Sequence, residues 1–267
     1  MIGSRYRIAS SVISVISAVA FSALSAFSAV SASGQQPAPT SRAAAPIDLT
    51  GYWVSVVTED WRYRMMTPRK GDYASVPLNA AARKAADEWD PAKDAASGGA
   101  CKSYGVGNIM RVAGRLHVTW QDEETLKIDT DAGTQTRLLH FGDAAAAPAG
   151  DGGWQGSSVA RWQVAGPQRR GGAGRGRGAA PPPGGSLKVV TTRMRAGYLR
   201  KNGVPYSDKA IVTEYFDRHS EPNGDQWFTV TTIVEDPTYL DDAFITSSHF
   251  KKEPDGAKWH PTPCTAE

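Results

Sequence analysis

The stretch LHVTWQDEETLKIDTDAGTQTRLLHF, residues 116–141, carries the period that decides the fold. Leu116, Val118 and Trp120 alternate with His117 and Thr119, so three apolar side chains share one face of an extended segment. Asp122-Glu123-Glu124 then turns the chain, and Leu126, Ile128 and Thr130 share the next face. Asp131-Ala132-Gly133 turns it again before a further strand from Thr134 to Phe141. Segments this short, with turn residues between them, build antiparallel sheet.

The same reading extends in both directions. Leu49–Val57 is rich in β-branched and aromatic residues and enters a core, and Ile109–Val112 is a brief strand. Downstream, Trp154–Val164, Leu187–Met194, Ile211–Phe216, Trp227–Val234 and Phe244–Phe250 continue the series. Turns are marked by Asn202-Gly203, by Glu221-Pro222-Asn223-Gly224 and by Asp255-Gly256. About ten strands at this spacing imply an all-β barrel or sandwich. Asn79–Trp89 is the one short helix expected: Asn79 caps it, Ala82, Ala85, Ala86 and Trp89 share a face, and Asp90-Pro91 ends it. Residues 59–76 read as a long loop, broken by Pro68 and Gly71.

The first 32 residues read as a signal peptide. Arg5 and Arg7 precede an uncharged run from Ile8 to Val30, and Val30-Ser31-Ala32 supplies the small side chains of a cleavage site. A retained membrane anchor is the competing reading. No later stretch is long and apolar enough to be a spanning helix, so a periplasmic or secreted protein is expected, with no integral membrane span after signal removal. Residues 33–46, built of Gln, Pro, Ala and Ser, form a flexible tether, and 47–267 form a single domain. Within it, 165–186 is a Gly-, Arg- and Pro-rich stretch that cannot offset its ordering entropy by burial and reads as a disordered loop.

Loss of the signal removes two of the 30 basic residues and none of the 27 acidic ones, leaving a net charge of about +1. Such a body has no large field to attract nucleic acid. Export places Cys101 and Cys264 in an oxidising compartment, where an even count points to a disulfide. Neither belongs to a C-x-x-C pair, so no metal is expected, and no cofactor motif is present. There is no G-x-G-x-x-G after a strand, no P-loop and no G-x-S-x-G, and Gly156-Ser157-Ser158 lacks the second Gly of a nucleophile elbow.

Gly51-Tyr52-Trp53, at the start of the first strand, resembles the G-x-W signature of the lipocalins and the wider calycin group. That resemblance implies an antiparallel up-and-down lipocalin-like barrel of about 8–10 strands, here with a long N-terminal insertion. It also implies that Trp53 plugs the closed end, with a basic residue of the last strand, Lys251 or Lys252, packed over it. The chain is also similar to a class of exported bacterial β-proteins. That likeness rests on Trp154-Gln155-Gly156-Ser157-Ser158 with Trp162, on Thr213-Glu214-Tyr215-Phe216 and on Val234-Glu235-Asp236-Pro237, and it implies fold and location but no reaction.

Three functional readings follow. In the first, a small, mainly apolar or aromatic ligand occupies the barrel, lined by Trp53, Trp120, Trp154, Trp162 and Trp227, with Arg64 or Arg137 fixing a polar end. An inward Arg137 needs a partner such as Glu214 or Asp129. The aromatic and basic loop Trp61-Arg62-Tyr63-Arg64-Met65-Met66 covers the barrel mouth in this reading and suits flat or anionic ligands. In the second, a cofactor-independent lyase, isomerase or hydratase uses His117, His140 and Glu214 as acid and base. In the third, the barrel core is filled and the protein is an envelope structural component.

Overall fold

The computed structural model describes residues 38–142, 153–164 and 184–266, so the expected signal peptide and most of the expected 165–186 loop lie outside the described residues. Eleven strands form: β1 Gly51–Val56, β2 Arg115–Trp120, β3 Thr125–Thr130, β4 Thr136–Phe141, β5 Ser157–Val164, β6 Gly185–Thr192, β7 Gly197–Arg200, β8 Val204–Tyr206, β9 Ile211–Ser220, β10 Gln226–Glu235 and β11 Phe244–Glu253. Nine of them close a barrel in the order β1-β11-β10-β9-β6-β5-β4-β3-β2, and β7 and β8 pair as a separate hairpin. An odd number of strands cannot close with every neighbour antiparallel. The single exception is the β4–β5 pair, which is parallel, with Leu139 opposite Ser158.

Alternation puts Leu116 and Val118 of β2, Leu126 and Ile128 of β3, Val189 of β6, Phe216 of β9, Phe228 of β10 and Phe250 of β11 in one continuous core. Trp53 stands among them, edge-on to Phe228 with ring centroids 4.6 Å apart, and its indole N–H donates to Leu49 O (2.9 Å). The Lys252 ammonium lies 5.4 Å from the Trp53 ring centroid, as the lipocalin likeness implied for one of the two lysines. Gly51 is at φ +112°, and a β-carbon there would come within 3.1 Å of Lys252 Cε. Residues of the expected tether meet this end of the barrel. The Arg42 N–H donates to Glu123 O (3.1 Å), and the Trp162 indole donates to Ser41 O (2.7 Å).

A second layer covers the other end. It contains three short helices where the sequence predicted one: α1 Trp61–Arg64, α2 Ala80–Asp87 and α3 Pro91–Ala96. The Asn79 cap is present, its side chain accepting from the Ala82 N–H, and Ala82 and Ala86 are the buried residues of α2. Asp90-Pro91 ends α2 but also starts α3: Asp90 accepts from the Ala92 and Lys93 N–H groups, and proline is compatible with the first turn of a helix. The brief strand expected at Ile109–Val112 is instead a 3₁₀ turn, Ile109–Arg111. Every residue from Ser103 to Arg111 is buried, so this segment is apolar because it plugs the barrel mouth, not because it pairs in a sheet. Tyr206 is what it packs against: a β-carbon on Gly105 would stand 2.1 Å from the Tyr206 hydroxyl oxygen, and one on Gly107 would stand 2.9 Å from its ring.

Cys101 and Cys264 are bonded, with 163 residues of separation, and tie the C-terminal tail to this layer. Disulfides typically contribute about 2–4 kcal/mol, and the chain-entropy relation for a loop this long gives about 5. Nearby, Asp94 accepts from the Tyr198 hydroxyl (2.7 Å) and from the Lys102 ammonium (2.5 Å).

Burial raises the Tyr198 phenol well above its ordinary value, with Asp94 adding to the effect, and burial does the same to Tyr206. In the unfolded chain both titrate near 10. Unfolding therefore releases protons in alkali: the stability these neutral phenols provide is complete below about pH 10 and falls as the pH climbs towards their folded values. Denaturant unfolding followed between pH 8 and 11 should show this decline, and the Tyr198→Phe/Tyr206→Phe double variant should show a shallower one.

Candidate functional site

Three loops converge where the covering layer meets the barrel mouth. One follows β1 (residues 59–65), one precedes β2 (108–113), and the third is the end of β7 with the start of its turn (200–201). Together they line a cavity of about 210 Å³ whose walls include Tyr63, Arg64, Arg111, Arg200 and Lys201. Each basic side chain is brought there by a local feature of the sequence. Asp60, at φ 51°, turns the chain left-handed ahead of α1; its carboxylate leaves the helix N–H groups uncapped and accepts from Arg111 instead (3.1 Å). Arg64 reaches down to the inward-facing Ser55 hydroxyl (3.1 Å), to Arg111 O (2.9 Å) and to the Glu59 carboxylate. Arg200 is held by the Asn202-Gly203 turn. The Asn202 amide donates to Arg69 O (3.1 Å) and Asp72 O (3.0 Å), and Gly203, at φ +79°, packs against Trp89.

The electrostatics of the three arginines differ. Burial lowers the Arg64 guanidinium from its ordinary value, opposed by Glu59 and reinforced by Arg111. Burial lowers Arg111 too, opposed by Asp60, and lowers Arg200, where the Arg111 charge adds to the effect. All three remain cations, because arginine keeps its proton even when buried in a folded protein. Arg64 and Arg111 each have a carboxylate partner. Arg200 is 1 % exposed, and none of its three guanidinium nitrogens has a hydrogen-bond acceptor among the described residues. Its guanidinium lies over the rings of Tyr63, with the centroid 4.0 Å away, and Phe244 at 6.0 Å, and the Asp60 and Asp72 carboxylates favour its charge without hydrogen-bonding to it. Cation–π contact recovers about 1–2 kcal/mol, far less than the desolvation of an unpaired ion.

The residues singled out in the sequence are dispersed. Arg64 lines the cavity. Arg137 and Glu214 are inside the barrel, both side chains 0 % exposed, joined by two parallel hydrogen bonds of 3.0 and 2.5 Å. Asp129, the other partner considered, is on the outer face with Thr136 and Lys127. His117 is also outside, stacked on Tyr52 with ring centroids 4.1 Å apart. His140 lies outside between the inward Leu139 and Phe141, near the Thr125 hydroxyl (3.4 Å). The structure therefore does not bring His117, His140 and Glu214 to one substrate: strand alternation sends the imidazoles and the carboxylate to opposite faces. Trp53 is wholly buried, while Trp120 and Trp162 pack with Phe141 at the barrel end away from the mouth. Trp154 lies under Arg195 (4.2 Å) in a separate open groove, and Trp227 is on the outer face beside Lys251. Tyr63 lines the cavity as a member of the loop expected to cover the mouth, whereas Arg111 and Arg200 were not selected from sequence. For Arg111 the available signal was a single charge within the apolar run Ile109-Met110-Arg111-Val112, whereas Arg200, followed by Lys201, carried none.

Among the described residues, no group of three or more His, Cys, Asp or Glu converges as a metal site would require, and no helix is long and apolar enough to cross a membrane. No protein-family model matches this chain, nor does any curated protein or solved structure.

The interior pair contrasts with Arg200 and can be tested by itself. Arg137→Met should cost about 3–5 kcal/mol in denaturant unfolding by stranding Glu214, whereas Arg137→Met/Glu214→Leu should return stability to the parent level or above it.

Proposed function

We propose that this chain is an exported binding protein for a small organic anion, held in the arginine-lined cavity above a filled barrel. The observation that carries the reading is Arg200: a desolvated guanidinium without a hydrogen-bond acceptor among the described residues, beside Arg64, Arg111 and Lys201, on the wall of one cavity. A volume near 210 Å³ is below the roughly 300 Å³ of ordinary small-molecule pockets, which favours a carboxylate, a phosphate or a compact aromatic acid. Export is supported by Arg5, Arg7, the uncharged run to Val30 and the small residues Val30-Ser31-Ala32, and by the Cys101–Cys264 bond.

The lipocalin likeness placed the ligand inside the barrel. There Trp53, Phe216, Phe228 and Phe250 fill the space with contacting rings, and Arg137 is already neutralised by Glu214. That packing also favours a second reading, an envelope structural protein with no ligand.

Calorimetric titration of the mature protein with inorganic phosphate and with benzoate separates the two. Saturable binding that Arg200→Met weakens about tenfold or more is expected, since a lost charge-assisted hydrogen bond costs about 1.5–3 kcal/mol. The same variant should melt no lower than the parent, because it removes an unpaired buried cation. Absence of saturable binding to either anion favours the structural reading.

A further inference from the structure

We infer, resting on that reading, that the anion is the head of a single-chain amphiphile whose tail leaves the cavity across Trp61, Met65 and Met66. The single turn α1 and the two residues after it divide by side: Tyr63 and Arg64 face the cavity, while Trp61, Met65 and Met66 are 66 %, 59 % and 70 % exposed. Large exposed apolar side chains occurring singly are normal on a protein surface. Val164, Ile211 and Ile245 are of that kind, but the other three fall within six consecutive residues. Met65 also lines the cavity, so the apolar surface is continuous with its rim.

The charge around this patch matches the head of such a ligand. Arg62, Arg69 and Lys70 are exposed beside it, and of these Arg62 pairs with Asp72 (2.6 Å). The carboxylates of Asp60 and Asp72 are engaged by Arg111 and Arg62, which leaves exposed Arg69 and Lys70 to give the patch a cationic edge that complements an anionic amphiphile better than a neutral lipid. Cavity size sets the division of labour: about 210 Å³ accepts a phosphate or carboxylate head with a few carbons, and any longer chain must emerge. Methionine suits the exit, since an unbranched thioether adapts to chains of different length and course. Three side chains offer the width of one alkyl chain and not of a bilayer surface, so the occupant is a monomeric amphiphile taken from solution.

Two matched pairs of probes test this on the mature protein: inorganic phosphate against octyl phosphate, and acetate against octanoate, all below their critical micelle concentrations. The long-chain member of each pair should bind about tenfold tighter or more, from a few methylenes moved off water. Trp61→Ser/Met66→Ser should remove that gain and leave inorganic phosphate binding at the parent affinity, while Arg200→Met should weaken both members. Equal affinity within both pairs would overturn the amphiphile and leave the anion cavity standing. No binding of any probe would overturn both. Cosedimentation with phosphatidic acid vesicles, without binding of octyl phosphate or octanoate, would show a membrane surface to be the occupant and would also overturn the proposal.

Discussion

Tyr206 enters the covering layer beside Gly105, Gly107 and Gly197, and a β-carbon on any of the three would stand less than 3 Å from its side chain. This close approach seats residues 103–111 in the barrel mouth and holds Ile109 and Met110 against the barrel core. Much follows from it. A mouth plugged by backbone and apolar side chains leaves ligand chemistry to the seam between plug and rim. That seam is where Arg111 emerges from the plug, Arg64 from the loop after β1 and Arg200 from the β7–β8 hairpin. The same packing joins two cores, one within the barrel and one around Tyr206, Leu199 and Phe244, that would otherwise be stacked without a shared segment.

The molecule treats desolvated arginine in two ways. Arg137 is in the barrel interior and is matched by Glu214 through two hydrogen bonds, so its charge is cancelled locally. Arg200 is equally buried and is given rings instead of an acceptor. A protein selected only for stability would replace such a cation by an apolar side chain of similar size, because an unpaired buried charge is among the costliest features a fold can carry. On the proposed reading an anion completes this site, and the loss of stability would then be recovered on binding through linkage.

Much of the barrel was legible in the sequence. The period-two alternation of Leu116, Val118, Leu126 and Ile128 states which side chains face inward, and Asn202-Gly203 and Glu221–Gly224 mark real turns. The covering layer was less so. Ser103–Arg111 is apolar for the same reason as a strand, burial, but its backbone is set by glycines that answer to Tyr206 some hundred residues on, a contact no local pattern records. The site suffered in the same way. Arg64 was visible because it stands in an aromatic and basic loop, whereas Arg111 and Arg200 become meaningful only when three segments, separated by 47 and 89 residues, meet. His117 and His140 were overvalued because residue chemistry was read ahead of strand parity, which already sends both away from Glu214.

The disulfide gives the cavity its rigidity. Plug, hairpin and α1 loop contribute little regular sheet of their own, and such segments are ordinarily the first parts of a fold to open. Cys101 stands two residues ahead of the buried plug, and its bond to Cys264 anchors that approach to a tail which also accepts the Thr134 hydroxyl at Thr262 O (2.9 Å). Asp94 adds a polar lock through Tyr198 and Lys102. On the proposed reading, cations fixed in this way would be pre-organised: an arriving anion would not have to order the loops that bind it, so more of the electrostatic attraction would remain as affinity. The tail bond and the arginine wall are thus parts of one device, in which covalent constraint at one side of the plug keeps charge desolvated and in place at the other.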